Sequence, residues 1–241
     1  MTTITTPRLV LRRYTHTDIP DILAFIAHPS VSRATPEIKA TEADVKHYID
    51  QQNACQPFEI DRCLDLAIEL KEEKRVIGLV SAVRREHEQA EIGWALGVQY
   101  RGRGLATEAA EALVAYGFDV LRLHRISACT GKHNTRSWRL MERIGMRREA
   151  HLRESHQVDG EWDDEFIYAI LADEWKQSKV ESDDPARPSN RLWSGRPPGH
   201  GNQIATLGRF KGGAVVTAIK RDLVKARRRK SSRQVVAKDR T

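Results

Sequence analysis

Cysteine is scarce in this chain. Cys55, Cys63 and Cys129 are the whole complement in 241 residues. The number is odd and no C-x-x-C pair occurs, which argues against a disulfide framework or a zinc site and for a reducing compartment. No metal is expected on this ground. Long apolar runs are also missing: none reaches the roughly 18 residues a membrane helix requires. The start, Met1-Thr2-Thr3-Ile4, carries neither the basic region nor the apolar stretch of an export signal. The reading is therefore of a cytoplasmic protein without a membrane span. Aromatic residues make up 6 % of the chain, and beyond residue 175 only Trp193 and Phe210 occur. No internal repeat is present.

What is abundant is charge, unevenly placed. The formal net charge is +7, yet residues 1–175 hold 23 Lys and Arg against 28 Asp and Glu, a net of −5. Residues 176–241 hold 17 against 5, a net of +12. The basic character thus belongs to a tail, and 1–175 is long enough to bury a core of its own. Within the tail, Ser182 to Asn202 is rich in Pro and Gly and poor in core formers, the composition of linker or disorder. A short basic helix over 214–230 is expected from the spacing of Val215, Ile219 and Leu223. Arg227-Arg228-Arg229-Lys230 offers weak contact to nucleic acid or an anionic surface, although with so few aromatics base stacking is unsupported. A solvated extension is the plainer alternative.

Along 1–175 the periodicity predicts a mixed α/β domain. Arg8 to Arg12 is a short strand. Ile19 to Ala27 is a helix, and a capping-box signature at Thr41-Glu42-Ala43-Asp44 opens another through Asn53. Strands follow at Cys63–Leu70, Val76–Val83 and Ala90–Leu96, joined by charged hairpins. Leu105 to Leu121 then switches to helical spacing. Ile126 to Thr130 is a strand, Asn134 to Ile144 a helix stopped by Gly145, and a last hairpin joins Met146–Gln157 to Trp162–Leu171 across Asp159-Gly160.

The chemistry is concentrated where the pattern changes. A strand ends near Leu96, Gln99-x-x-Gly102-x-Gly104 follows, and a helix begins at once. Gly102 and Gly104 allow backbone angles and close approach that a Cβ hinders. The first helical amides lack intrahelical acceptors and carry partial positive charge, which makes the place suited to a phosphate. Arg101 and Arg103 add charge. The segment is not a Walker loop, since no Gly-Lys-Ser/Thr follows, and a dinucleotide fingerprint would need a third glycine at Thr107. On its own, a pair of glycines before a helix is equally a tight strand-to-helix turn.

The surrounding residues carry a resemblance. Gln99, Gly102 and Gly104 match the Gln/Arg-x-x-Gly-x-Gly/Ala acyl-CoA motif of the GNAT superfamily. Ala90-Glu91-Ile92-Gly93-Trp94 and Tyr100 to Ala109 look like its RimJ/RimL-type branch, as do Thr6 to Arg12, Asn134-x-x-Ser137 and Met141-Glu142-Arg143-Ile144-Gly145-Met146. The resemblance spans about residues 5–175. It implies a central, mostly antiparallel, splayed sheet flanked by helices, and acetyl-CoA as co-substrate. It implies direct attack by an amine on the thioester in a ternary complex. Cofactor contacts carry over to Val98, Gln99, Arg101, Gly102, Arg103, Gly104, Leu105, Ala106, Thr107 and Asn134. Asn134 is also a good helix N-cap by residue type. Ser137 is implied as proton donor to the departing thiolate, or as a cofactor contact.

A carboxylate must take the amine's proton, directly or through water. Glu91 is the first candidate. Strand alternation sets Ile92, Trp94 and Leu96 on one face and Glu91, Gly93 and Ala95 on the other. A salt-bridge role is the alternative for Glu91. Glu165 is a second candidate, drawn from the group Glu161, Asp163, Asp164 and Glu165, which reads more simply as a solvated acidic rim. His133 reads as surface. The acceptor class implied is a protein N-terminal amine. A small amine (aminoglycoside, polyamine or amino acid) is the rival, and a non-catalytic acyl-CoA sensor is the rival from another class.

Overall fold

The computed structural model of the chain describes residues 3–158 and 160–182. The expected tail helix at 214–230 lies outside them. One eight-stranded sheet runs through the protein. Its strands are β1 (Ile4–Thr5), β2 (Leu9–Arg12), β3 (Cys63–Leu70), β4 (Arg75–Arg85), β5 (Gln89–Leu96), β6 (Arg125–Gly131), β7 (Arg147–Val158) and β8 (Glu161–Leu171). The spatial order is β1-β2-β3-β4-β5-β6-β8-β7, and every neighbouring pair is antiparallel except β5 and β6.

Helices α1 (Ile19–Ile26), α2 (Pro29–Ser32) and α3 (Glu42–Ala54) precede β3. Helices α4 (Leu105–Asp119), α5 (Thr135–Arg143) and α6 (Ala172–Ser182) follow β5, β6 and β8 in turn. Period-2 alternation in the strands feeds two separate cores. Leu64, Leu66, Ile68 and Leu70 of β3 pack with Ile92 and Leu96 of β5 against Ala109, Leu113 and Val114 of α4. The opposite face sets Ala67, Leu79 and Ala95 against Ile22, Phe25, Val45 and Ile49 of α1 and α3. The two faces of β5 are therefore those the alternation of its sequence predicts.

Local signals explain the boundaries. Thr41 caps α3 by accepting the Asp44 amide at 3.1 Å. Gly145, at φ 90°, ends α5, and Gly160, at φ 89°, lies in the two-residue connection between Val158 and Glu161. The charged hairpin expected at 84–89 is tighter than its sequence suggests, because β4 extends to Arg85 and β5 begins at Gln89. Helix α6 was not signalled by the sequence. Leu171 donates its amide to Glu174 Oε2 at 3.0 Å at the helix start, and Trp175 is buried against Phe118. No helix among the described residues is long and apolar enough to cross a membrane.

One glycine fixes how β4 lies on β5. A Cβ on Gly78 would stand 2.3 Å from the Ala95 carbonyl oxygen, so only glycine allows the Gly78–Leu96 pairing without displacement. Gly78→Ala should lower stability by about 1–3 kcal/mol, the range for overpacking a filled site. Its urea midpoint, compared with that of the parent, measures the loss.

The feature that matters for function is the junction of β5 and β6. Strand β5 pairs with β4 along its whole length, from Gln89–Arg85 to Leu96–Gly78. It pairs with β6 only through Gln89, Ala90 and Glu91. Beyond Glu91 the strands part, while β6 continues to Gly131 on β8. The edge of β5 from Ile92 to Leu96 thus has no strand partner on that side.

Candidate active site

The loop after β5 is built as its sequence predicts. A single 3₁₀ turn, Val98–Tyr100, leads to Gly102 at φ 80° and Gly104 at φ 76°, a region that L side chains rarely adopt. Gly104 is the N-cap of α4 and supplies no side-chain bond to it. The Leu105, Ala106 and Thr107 amides therefore open the helix ahead of its first turn, closed by Glu108 N–H on the Gly104 carbonyl at 3.0 Å. A Cβ on Gly102 would meet nothing within 4 Å, so the space in front of that residue is open. Val98 is half-buried and Gln99 exposed.

Charge at this place is supplied unequally. Arg101 donates from Nε to the Leu96 carbonyl at 3.1 Å, and burial together with the nearby Arg136 guanidinium lowers its pKa. Two cations held near each other favour an anion beside them. Arg103 instead turns to the β3–β4 hairpin, 3.9 Å from Glu73 and 4.0 Å from Glu72.

Helix α4 is held to the amino-terminal strands by Glu108. Its carboxylate accepts Thr6 Oγ1 at 2.6 Å, the Arg8 amide at 2.9 Å and Arg8 Nε at 2.6 Å. Burial, the largest single influence, pushes the Glu108 pKa up, but these bonds together outweigh it and hold the group below its ordinary value. The folded state therefore binds this proton less readily than the unfolded chain. Its stabilisation is present at neutral pH and is lost as pH falls through the folded pKa. Glu108→Gln should melt lower than the parent at neutral pH, and the two melting curves should converge in acid.

Where β5 and β6 part, a cavity of about 220 Å³ opens, lined among others by Gly93 and Trp94 from β5, Thr130 and Gly131 from β6, and Asn134 and Ser137 from α5. Asn134 caps α5, with Oδ1 accepting the Ser137 amide at 3.3 Å. Ser137 is half-buried in the cavity wall. Glu91, the last β5 residue paired to β6, has a side chain 23 % exposed, with Arg85 Nη2 3.6 Å away and Cys129 Sγ 3.9 Å away. Burial raises its pKa above the ordinary glutamate value, with Arg85 opposing and Glu165 reinforcing the shift. Glu91 therefore has both an arginine partner and a place at the parting of the strands.

The acidic group on β8 departs from the solvated rim expected of it. Glu165 is 5 % exposed, directed by strand alternation to the face that carries Glu91 and Cys129. Asp164 is fixed by the Glu154 amide at 3.0 Å, His151 at 2.6 Å and Lys132 at 3.1 Å. These bonds, the first from Glu154, depress its pKa. Only Glu161 and the neighbouring Trp162 face solvent freely. His133 is exposed, as its sequence reading holds, with Nε2 3.7 Å from Asp163.

His156 of β7 escaped the sequence reading, and Asp163 of β8 entered it only as part of an acidic rim. The two stand opposite each other on the cavity wall. The bulge between Leu152 and His156 that sets them opposite each other has no signature in the sequence.

A mostly antiparallel sheet parted between one parallel pair, with a glycine-built helix start at the mouth of the gap, defines an acyl-CoA-dependent N-acetyltransferase. The chain belongs to the GNAT family: the acetyltransferase (GNAT) domain matches residues 8–147. It is 34 % identical over 173 residues to an uncharacterized N-acetyltransferase of Bacillus subtilis, YnaD, covering 71 % of this chain and 98 % of that protein. It is 31 % identical over 107 residues to the [ribosomal protein uS5]-alanine N-acetyltransferase of Escherichia coli, covering 43 % of this chain and 55 % of that one. A GNAT-family acetyltransferase from Bacillus anthracis has a solved structure that superposes with a TM-score of 0.63 at 31 % identity, over 71 % of this chain and 99 % of that one. Members of the family use acetyl-CoA as co-substrate.

Proposed function

We propose that the enzyme transfers the acetyl group of acetyl-CoA to a primary amine, a protein N-terminal amine in particular, by direct attack within a ternary complex. The observation that carries this reading is the unpaired β5 edge from Ile92 to Leu96 opening beside the uncapped start of α4. Acetyl-CoA supplies an activated acyl group as a thioester. The α4 amides behind Gly102 and Gly104, with Arg101, hold its pyrophosphate, and Val98, Gln99 and Asn134 flank the arm. Arg103 contributes charge at the rim.

Glu91 accepts the amine proton, for which a raised pKa is an advantage, since a base works best when its pKa approaches the working pH. Ser137 protonates the leaving thiolate. Holding both reactants aligned in the gap supplies the remainder, a contribution of about 7–11 kcal/mol in favourable systems. The N-terminal acceptor is supported by likeness to the uS5-alanine enzyme. A small cationic amine is the second reading, favoured by the half-buried carboxylate of Glu91 and the buried one of Glu165 on one sheet face.

Thiol release from acetyl-CoA, measured against peptides with free and blocked N-termini and against polyamines and aminoglycosides, tests both. Peptides with a free N-terminus should turn over, and the same peptides blocked should not. Turnover with small amines alone transfers the assignment to the second reading, and silence with every amine overturns both.

A further inference from the structure

Acetylation of an ammonium ion at neutral pH involves two protons. One leaves before attack, when R–NH₃⁺ becomes R–NH₂, and the other leaves the attacked nitrogen. The roles given to Glu91 and Ser137 cover only the second and its delivery to the thiolate. The wall of the gap opposite β5 holds a histidine that the resemblance does not assign.

His156 has a side chain 8 % exposed and lines the cavity that Ser137 and Gly93 also line. Its Nδ1 lies 3.2 Å from Ser155 Oγ, and its Nε2 lies 3.9 Å from Asp163 Oδ2. In the tautomer that donates from Nδ1 to Ser155, Nε2 keeps its lone pair. The Asp163 distance is too long for a hydrogen bond, but it is within ion-pair range once the ring is charged.

Two features of the backbone put this pair at the gap. The first is a bulge. Leu152 pairs with Glu165 and His156 with Asp163, so three β7 residues stand across from one on β8. Regular pairing would have set Glu154 against Asp163, one carboxylate facing another. The bulge, with Glu154 at φ 49°, puts an imidazole there instead. The second is Gly131 at the tip of β6. A Cβ there would stand 2.8 Å from Asp163 Oδ2 and 3.9 Å from His156 Nε2, so the glycine leaves room for both groups at the mouth of the gap.

We propose that His156, positioned by Asp163 and reached through the gap beside Gly131, takes the proton from the incoming acceptor ammonium before attack. The N–H bond of the ammonium breaks, an Nε2–H bond forms, Asp163 balances the imidazolium, and the proton passes to water. The other ionisable groups beside the pair are His133 on the loop before α5, 3.7 Å from Asp163, and Cys129 of β6, which lines the same cavity. The inference rests on the reading of the gap as the acyl-transfer site.

The test uses the full chain with acetyl-CoA and an acceptor that releases thiol in the parent. His156→Ala and His156→Gln should keep acetyl-CoA affinity and melting temperature. Each should lose about 10²–10⁴-fold in kcat/KM for the acceptor, the span of a general-base contribution. The loss should be largest at low pH and shrink as pH rises, because more of the amine then arrives neutral. Added imidazole should restore turnover to His156→Ala, and Asp163→Asn should lower kcat/KM less than either. Parent-like rates in both His156 variants overturn the inference and leave the acyl-transfer reading intact. So does a folded His156→Ala whose loss is the same at every pH and unmoved by imidazole. A parent inactive with every amine overturns the inference together with that reading.

Discussion

Gly102→Asp is expected to weaken acetyl-CoA binding at least tenfold while the protein stays folded. The position suits the experiment because the added Cβ meets nothing within 4 Å, so any loss does not come from a clash with the chain. The backbone at φ 80° carries a penalty for any side chain, although aspartate tolerates this region better than most residues. The new carboxylate would stand before the α4 amides, where an arriving pyrophosphate would meet like charge, close to the paired field of Arg101 and Arg136. Gly102→Ala isolates the backbone penalty, since it introduces the Cβ without the charge. Calorimetric titration of the three proteins should order affinity as parent, then alanine, then aspartate, with most of the loss in the last step. Equal affinity across all three would remove the phosphate from this loop.

Glu91→Gln should reduce turnover by about 10²–10⁴-fold at neutral pH with acetyl-CoA affinity retained, if the carboxylate is the group that receives the amine proton. The deficit should persist as pH rises, because this proton leaves the attacked nitrogen after the amine is already neutral. Stability separates this role from a purely structural one. Burial raises the Glu91 pKa above its unfolded value, so the folded protein binds this proton more tightly, and stability from this group declines as pH rises through that interval. The ionised carboxylate is therefore a burden on the fold at neutral pH, partly relieved by Arg85 at 3.6 Å. Glutamine removes the burden, and the variant should melt at or above the parent temperature at neutral pH. A variant that melts lower and keeps parent-like turnover would assign Glu91 to the Arg85 pair and free the base role for Glu165 or a water. Melting curves recorded beside pH–rate profiles decide between the two outcomes.

Much of this site is legible in the sequence because it depends on local backbone chemistry. Two glycines followed at once by a helix can be read without a fold, and both prove to need positive φ. The faces of β5 follow from alternation, and the Asn134 cap follows from residue type. What escaped depends on pairing across the sheet. The parting of β5 from β6 after Glu91 has no signature in either strand, and only the resemblance implied a splay. Glu165 hides in a run of acids whose composition suggests solvent, although alternate members of that run point to opposite faces. His156 escaped for a sharper reason. Counting by twos along β7 from Leu152 puts Glu154, not His156, opposite Asp163, and the two added residues of the bulge leave no mark in the sequence. Arg103 shows the reverse error: its charge is legible, but its partners on the β3–β4 hairpin are not.

Cys129 stands on the face of the gap shared with Glu91 and Glu165, and burial, then those two carboxylates, push its thiol well above the ordinary range. Sulfur beside a thioester is a chemical hazard, because a thiolate there would capture the acetyl group by transthioesterification and strand it on the protein. The thiolate, not the thiol, is the nucleophile. The acids on that face therefore also favour the protonated sulfur, which on the proposed site assignment would leave the amine without a competing nucleophile. The same protonation predicts that Cys129 reacts slowly with alkylating reagents and in disulfide exchange, an outcome that timed alkylation of the folded protein checks.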